Sequence, residues 1–483
     1  MAFAGGVWQT QNKKLPGTYI NFDSVAKSTV TLSDRGIVAV PMVLDWGKDG
    51  DIFAVTQEDF EKNSLAVFGY SYEAEELRPL RELFKNAIKL IVYKLNNDGV
   101  KATSELATAR HAGVRGNELK YVVVNNVDET SKFDVSLYMG ASLVFEQKAV
   151  ATPADLEENE FVVWNAKATL TATVGTSLAG GTNGSEVIGT QYQKALEKFE
   201  TQKFHILCCP TQDKTIEDLF VAYTRRLNDN MGRYFQTVMY RNEADYEHVI
   251  SVENKVKFLK DGEVSIATVE GDLADVEVGA FVKLEEGKYV EAAEGDAGAL
   301  VVVADASHNL VYWVAGAEAG CAVNKTVLNK TYDGEYEVDV DYSQSELEAA
   351  IDAGKFMFHR VEDEVKVLMD INTFTSFSVE KNKDYSQNQN IRINDQIGND
   401  VTSIFNGRYI GKIGNDQNGR IAFWSDIVTL LRQLETIGAI QNVDPDADLI
   451  VRQGTDLDAV LAMLGYQPVN AMAKLYMTVT LGK

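Results

Sequence analysis

Three short runs of this sequence are apolar with little or no alternation: Ile37 to Leu44, Ile91-Val92-Tyr93 and Phe204 to Cys209. A strand with one wet face shows a polar residue at every second position, so unbroken runs point to a sheet covered on both faces. Helical spacing lies beside them. Leu77, Leu80, Phe84 and Ile88 lead into Ile91, and Asn96-Asn97-Asp98-Gly99 closes that strand with a turn. A helix over Tyr192 to Glu200 precedes Phe204, Pro210 stops the strand, and Ile216 to Leu227 reads as the next helix. Helices alternating with covered strands predict α/β layers.

That alternation is interrupted twice. Between Tyr121 and Leu178, Val122-Val123-Val124, Phe133 to Leu137, Leu143-Val144-Phe145, Phe161-Val162-Val163 and Ala168 to Val174 are β-rich runs separated by polar turns. They predict a small β-sandwich, left through the loop Gly175 to Gly184. Glu253 to Leu300 then holds five basic and twelve acidic residues. Its strand-like pieces Val264 to Val269, Phe281 to Leu284 and Leu300 to Val303 predict an exposed acidic β insertion reaching about Glu335. From Gly354 the α/β pattern resumes. Ile397, Val401, Ile404 and Phe405 mark one amphipathic helix, and Trp424, Ile427, Val428, Leu431 and Leu434 a second, ended by Gly438.

With 483 residues, 45% of them hydrophobic and 24% charged, the chain has room for about two to four domains with substantial cores. Its net charge of −25, from 46 basic and 71 acidic residues, argues against direct contact with nucleic acid or anionic lipid, both of which need clustered Lys and Arg. The three cysteines, Cys208, Cys209 and Cys321, fit neither a disulfide scaffold nor zinc-ligand spacing. Met1 to Gly17 lacks the basic head and apolar run of a signal peptide, and no stretch reaches the roughly 18 apolar residues of a membrane span. A soluble, cytoplasmically made protein is expected.

Catalytic patterns fall short. Gly175-Thr176-Ser177-Leu178-Ala179-Gly180 places its second glycine one residue late for a nucleophile elbow. Gly180 to Gly184 lacks the Gly-Lys-Ser/Thr of a phosphate cradle. His111, His205, His248, His308 and His359 form no metal-binding pair, and His205 reads as a satisfied core residue. Cys208-Cys209 ends a strand where α/β enzymes place reactive groups, yet buried cysteine is also a common small hydrophobe. Asp444-Pro445-Asp446-Ala447-Asp448 and Asn415-Asp416-Gln417-Asn418 depart from the order of a calcium loop. No catalytic residue, cofactor or metal is expected.

Both ends carry strand-like pieces: Thr18 to Phe22 and Lys474 to Leu481. Neither has a hairpin partner adjacent in sequence, and a lone strand is not stable in water. Each must add to a sheet edge, in its own chain or in another.

Separated blocks of the sequence resemble the tail sheath proteins of contractile phages, prophages and phage-like bacteriocins of Gram-positive bacteria. They are Gly17 to Phe22, Asp34-Arg35-Gly36-Ile37 with Leu44-Asp45-Trp46-Gly47, Arg115-Gly116-Asn117 and the Gly175 to Gly184 loop. The C-terminal blocks are Ala353-Gly354-Lys355-Phe356, Asp370-Ile371-Asn372-Thr373, Gly438 to Asn442, and Gln467 to Met472 leading to Lys474 to Val479. The resemblance covers most of the chain; the acidic stretch from Glu253 is its main departure.

The resemblance implies an α/β multidomain fold. Its expected parts are an N-terminal arm (1–28), an N-terminal α/β part (29–104), a β-sandwich (105–185), a central subtilisin-like α/β domain (186–352) carrying the acidic insertion (about 253–335), a C-terminal α/β domain (353–473) and a C-terminal arm (474–483). It implies that Thr18, Tyr19, Ile20, Asn21 and Phe22, and Leu475, Tyr476, Met477, Thr478, Val479, Thr480 and Leu481, join sheets of neighbouring subunits. It also implies a tube-facing surface in the C-terminal domain, with Arg420 and Arg432 as candidates. The partners implied are further copies in a helical sheath of stacked hexameric rings, a tail tube protein, and baseplate and tail terminator proteins. The location implied is a virion tail or tail-like particle assembled in the host bacterial cytoplasm. On the residues alone two other readings stay open: a capsid or adhesin subunit, or an α/β hydrolase or nucleotide enzyme using Cys209 or Ser177.

Overall fold

The unbroken apolar runs become the middle of one sheet. In a computed structural model, which describes residues 5–6, 18–19, 32, 34–258, 262–269 and 276–481, β1 (Ile37–Met42), β2 (Phe53–Thr56), β3 (Lys89–Lys94), β4 (Ile206–Cys208), β5 (Gln236–Tyr240), β6 (Val249–Val252) and β7 (Lys355–Phe356) form a seven-stranded sheet. Its order is β7-β6-β5-β4-β1-β3-β2, and every pairing is parallel except β2 with β3. Successive side chains leave opposite faces. Val38, Val40, Leu90, Val92, Ile206, Cys208, Val238 and Ile250 therefore pack on one side. Ala39, Ile91, Tyr93, Leu207, Met239 and Val249 pack on the other.

Helices α1 (Gln57–Phe68) and α2 (Arg78–Phe84) cover the first face, and α3 (Gly189–Phe199) and α4 (Lys214–Arg225) cover the second. Thr56 and Asp59 cap α1 reciprocally, satisfying two of its free N–H groups. Helix α5 (Leu310–Gly320) is apolar on all sides and joins the first face; every residue from Leu310 to Ala319 is buried. Gly316 lets α5 touch α2, because a Cβ there would strike the Leu83 carbonyl.

The sandwich is a four-stranded antiparallel sheet in the order Thr173–Ser177, Leu119–Asn125, Phe133–Met139, Ser142–Val150, with Ala107–Ala109 and Val162–Trp164 as a second small sheet. Ala168 to Val174 was expected as its last strand; that strand starts at Thr173 and continues through Ser177, so part of the expected exit loop is paired. The acidic segment forms a four-stranded sheet from Glu263–Ser265, Phe281–Glu285, Lys288–Glu291 and Ala299–Val303, around buried Val264, Val282 and Val302. The expected reach of this insertion to about Glu335 runs into α5, which is core; the sheet itself stops at Val303.

After α6 (Gln344–Asp352) and β7, the C-terminal part is built on α7 (Asn388–Ile404) and α8 (Gln417–Thr436). Phe423, Ile427, Leu430, Leu431 and Leu434 of α8 pack on Ile393 and Ile397 of α7. Strands β8 (Leu449–Gln453) and β9 (Val460–Leu464) form a hairpin on this pair of helices.

Candidate intersubunit site

The end of the sheet where an α/β enzyme would keep its reactive groups is occupied by the chain itself. Parallel strands expose their carboxyl ends on one side, outside which ligands bind. Here Asn96, just past β3, bonds both the N–H and the carbonyl of Leu44, just past β1, at 2.9 Å each. Lys94 is fully buried, donating to the Ala112 carbonyl at 2.7 Å and pairing with Asp49 at 2.9 Å. Trp46 leaves the sheet to join the sandwich core, its ring edge-on to His111 at 5.1 Å. Burial pushes the His111 imidazole down to about 4. Gly113, at φ +138, closes the seam: a Cβ there would run into the Asp45 carbonyl. Burial likewise drives the thiols of Cys208 and Cys209 up, away from the reactive thiolate, and lowers His205 to about 3, where its Nδ1 accepts from the Ile37 N–H at 3.3 Å. Ser177 is an exposed residue in the sandwich sheet.

The surface with unspent bonding capacity lies in the C-terminal part. The β8–β9 hairpin pairs Leu449 with Leu464, Ile450 with Met463 and Arg452 with Leu461. Its inner face, Leu449, Val451, Val460 and Leu464, rests on the helices. Its outer face leaves Ile450 49%, Leu461 41% and Met463 53% exposed. As a two-stranded sheet it presents both outer edges unpaired among the described residues, and hairpins of this size gain most from a third strand.

The C-terminal segment carries the other exposed apolar surface. Asn470 to Leu481 is exposed throughout and lies outside every strand. Leu475, Met477, Val479 and Leu481, all at least 72% exposed, alternate with Tyr476, Thr478 and Thr480, which is the pattern of a strand with one apolar face. At the other end, Thr18–Tyr19 pairs in parallel with Gly5–Gly6, a sequence-near partner that the reading of an unpartnered strand did not foresee. Ile20, Asn21 and Phe22 lie outside the described residues.

The two candidate tube-facing arginines are not brought together. Twelve positions at ~3.6 per turn leave them roughly a third of a turn apart on α8. Arg420 donates to the Asn415 carbonyl and side-chain oxygen at 2.8 and 3.0 Å, and Asn415 in turn holds the hairpin turn through the Leu457 and Ala459 carbonyls. Arg432 is half exposed and pairs with Glu435 at 2.6 Å.

The sequence also gave no sign of a buried polar seam under α7. Arg392 is fully buried between Glu318 and Asp370, the latter at 2.7 Å, and donates to the Lys325 carbonyl at 3.1 Å. His248 meets Asp395 at 3.0 Å and Gln236 donates to Asn388 at 2.9 Å. Burial, with Asp370 beside it, pushes the Glu318 carboxyl well above the usual range. Burial opposes ionisation of Asp370 too, but the Arg392 guanidinium holds it below. In sequence, Asn388 to Gln396 is only a polar stretch at a helix start, which a solvated face would resemble equally.

Four stretches match sequence profiles of one family: the Gp18 tail sheath protein domain III N-terminal region (35–95), and the phage tail sheath β-sandwich domain (97–183), central domain (185–373) and C-terminal domain (380–482). The crystal structure of a sheath tail protein from Desulfitobacterium hafniense is similar at 31% identity and a TM-score of 0.72, covering 95% of this chain and 99% of that one. The phage-like element PBSX protein XkdK of Bacillus subtilis is 28% identical over 98% of this chain and 99% of its own. The helical sheath of the anti-feeding prophage, in its contracted state, shares the fold at 11% identity and a TM-score of 0.52, covering 97% of this chain and 99% of that one. With four successive domain matches and a 31% identical relative that spans nearly the whole length, the chain belongs to the phage tail sheath protein family.

Proposed function

We propose that this tail sheath subunit polymerises helically around an inner tube, each copy stitched to its neighbours by its terminal arms, and contracts to drive the tube through a cell envelope. The observation that carries this reading is the exposed segment Leu475 to Leu481, with its strand-like alternation, in a chain that also carries a hairpin with open edges. A strand added to a neighbour's β8–β9 edge buries the apolar side of the arm and completes backbone hydrogen bonds on both partners. Because the donor and acceptor surfaces differ, the contact is head-to-tail and propagates as a helix. The N-terminal segment around Thr18 to Phe22 is the second arm.

Such links let subunits rotate as rigid bodies while staying connected. At roughly 25 cal/mol per Å², a few hundred Å² of apolar surface newly buried per subunit yields several kcal/mol, summed over the whole tube. No nucleotide is required. The partners are then further copies in stacked hexameric rings, a tail tube protein, and baseplate and terminator proteins, in a virion tail or tail-like particle assembled in the host cytoplasm. The central sheet with helices on both faces supports a subtilisin-like label as a matter of topology; the role is structural, and the sealed sheet end and inert thiols support that. Deleting residues 474–483 and imaging the purified chain by electron microscopy tests the reading. Loss of long tubes is expected, and normal tubes from the shortened chain would sink it.

A further inference from the structure

The C-terminal arm leaves the folded body at a built site. Gln389, in the first turn of α7 and 4% exposed, turns its carboxamide onto the chain at the root of the arm. Its Nε2 donates to the Val469 carbonyl at 3.0 Å and its Oε1 accepts from the Ala471 N–H at 3.1 Å. One side-chain amide thus engages an acceptor and a donor two residues apart on an extended segment, as the edge of a neighbouring strand would. Asn470, between them, donates to the Gln387 Oε1 at 2.6 Å, and the Val469 N–H reaches the Ala439 carbonyl at 2.9 Å. From Asn470 onward the chain is exposed.

The helix that makes this clasp is itself anchored. Arg392, less than one turn further along α7, is locked between Glu318 and Asp370 in the buried seam. The segment that follows the N-terminal arm reaches the same seam, where Arg35 Nε donates to the Cys321 carbonyl at 3.2 Å. Arg35 and the root of the C-terminal arm thus both bond residues beside this seam, just past α5 and in α7 respectively.

We propose that the first turn of α7 is a clasp that sets the direction in which the C-terminal arm leaves the subunit, with Gln389 as its positioning residue. The proposal rests on the arm reading above. A root held at two points presents the strand already oriented, so less orientational freedom is lost when it adds to a neighbour's sheet. The bond between Gln387 and Asn470 adds to the grip on the root.

Gln389→Ala removes both bonds, whereas the isosteric Gln389→Glu keeps the acceptor for Ala471 and loses the donor to Val469. Peptide-resolved hydrogen exchange on the unassembled full-length chain reads the clasp directly at Ala471, and time-resolved light scattering reads assembly. Gln389→Ala is expected to exchange the Ala471 amide about tenfold faster and to assemble at least about fivefold more slowly, with an unchanged melting temperature and Gln389→Glu in between. If Gln389→Ala melts early, Gln389→Glu carries both readouts. Unchanged exchange, or wild-type assembly by a variant with released exchange, overturns the clasp. Deletion of 474–483 separates the two ideas: if it blocks assembly while Gln389→Ala assembles normally, only the clasp fails, and if it assembles normally the arm reading itself is lost.

Discussion

Replacing Arg392 with methionine fills the space of the side-chain stem and removes a fully buried cation from beside Glu318 and Asp370. Breaking a buried pair from one side costs about 3–5 kcal/mol because the remaining charge has no partner. The lower end applies here. Burial already pushes Glu318 away from its charged form, and Arg35 feels the Glu318 and Asp395 carboxyls of the same seam, its own guanidinium pushed down to about 10 by burial and by Arg392. The cost therefore falls on Asp370. In the wild type its carboxyl is held below the usual 3.8, so the stability it contributes is present above that value and is lost as pH falls through the lowered one. Without Arg392, burial is opposed only by the hydrogen bonds from Glu318, Thr326 and the Val327 N–H and is expected to lift it, which reverses the sign: the contribution is then full below 3.8 and is lost as pH rises through the raised value. Urea unfolding of the unassembled subunit should thus show an Arg392→Met deficit of about 3 kcal/mol near neutral pH that shrinks toward about pH 4, and Asp370→Asn in the same chain should recover part of it. A deficit that stays constant across that range, or one below about 1 kcal/mol, would refute the assignment of charge in the seam.

Glu82 offers a second titration. Burial lifts its carboxyl to about 7, against backbone and hydroxyl donation from Glu335 and Tyr332, so its contribution is full below 4.5 and is lost as pH rises through about 7. Over that window the wild type should lose about 3 kcal/mol that Glu82→Gln does not, read as a flattened plot of melting temperature against pH. Trp46→Ala empties a fully buried site shared by sheet and sandwich, and should cost about 3–5 kcal/mol in denaturant unfolding. Gly113→Ala should loosen the same seam, visible as faster hydrogen exchange at residues 44–47, since its φ of +138 and the Asp45 carbonyl leave no place for a Cβ.

Elements built by contacts near in sequence were the readable part. Ile37 to Leu44, Ile91 to Tyr93 and Phe204 to Cys209 supply strands of the central sheet, over Ile37–Met42, within Lys89–Lys94 and over Ile206–Cys208, because unbroken apolarity has few other uses. The helical stripe Trp424 to Leu434 lies in α8, where its apolar side is core against α7. Helix α5 was absorbed into the acidic insertion because Leu310 to Gly320, apolar on every side, has no periodicity to announce a helix. Lys474 to Leu481 reads in the sequence as a strand-like piece in need of a partner; in the subunit it is exposed and outside every strand, though its apolar alternation from Leu475 to Leu481 was there to be read. The β8–β9 hairpin was missed, because Val451, Val460 and Leu464 look like ordinary short apolar pieces until α8 lies beneath them. The clasp at Gln389 and the seam around Arg392 join residues up to 82 and 74 positions apart, and no local pattern marks such pairs.

The account stands on where the terminal strands go in the assembled tube. A cryo-electron microscopy reconstruction of polymerised sheath, resolved well enough to trace main chain, reads this directly. Leu475 to Leu481 should run as an added strand on the β8–β9 hairpin of an adjacent copy, with Leu475, Met477, Val479 and Leu481 turned inward. Density that returns those residues to their own subunit, leaving each neighbour's hairpin edge bare, would contradict it.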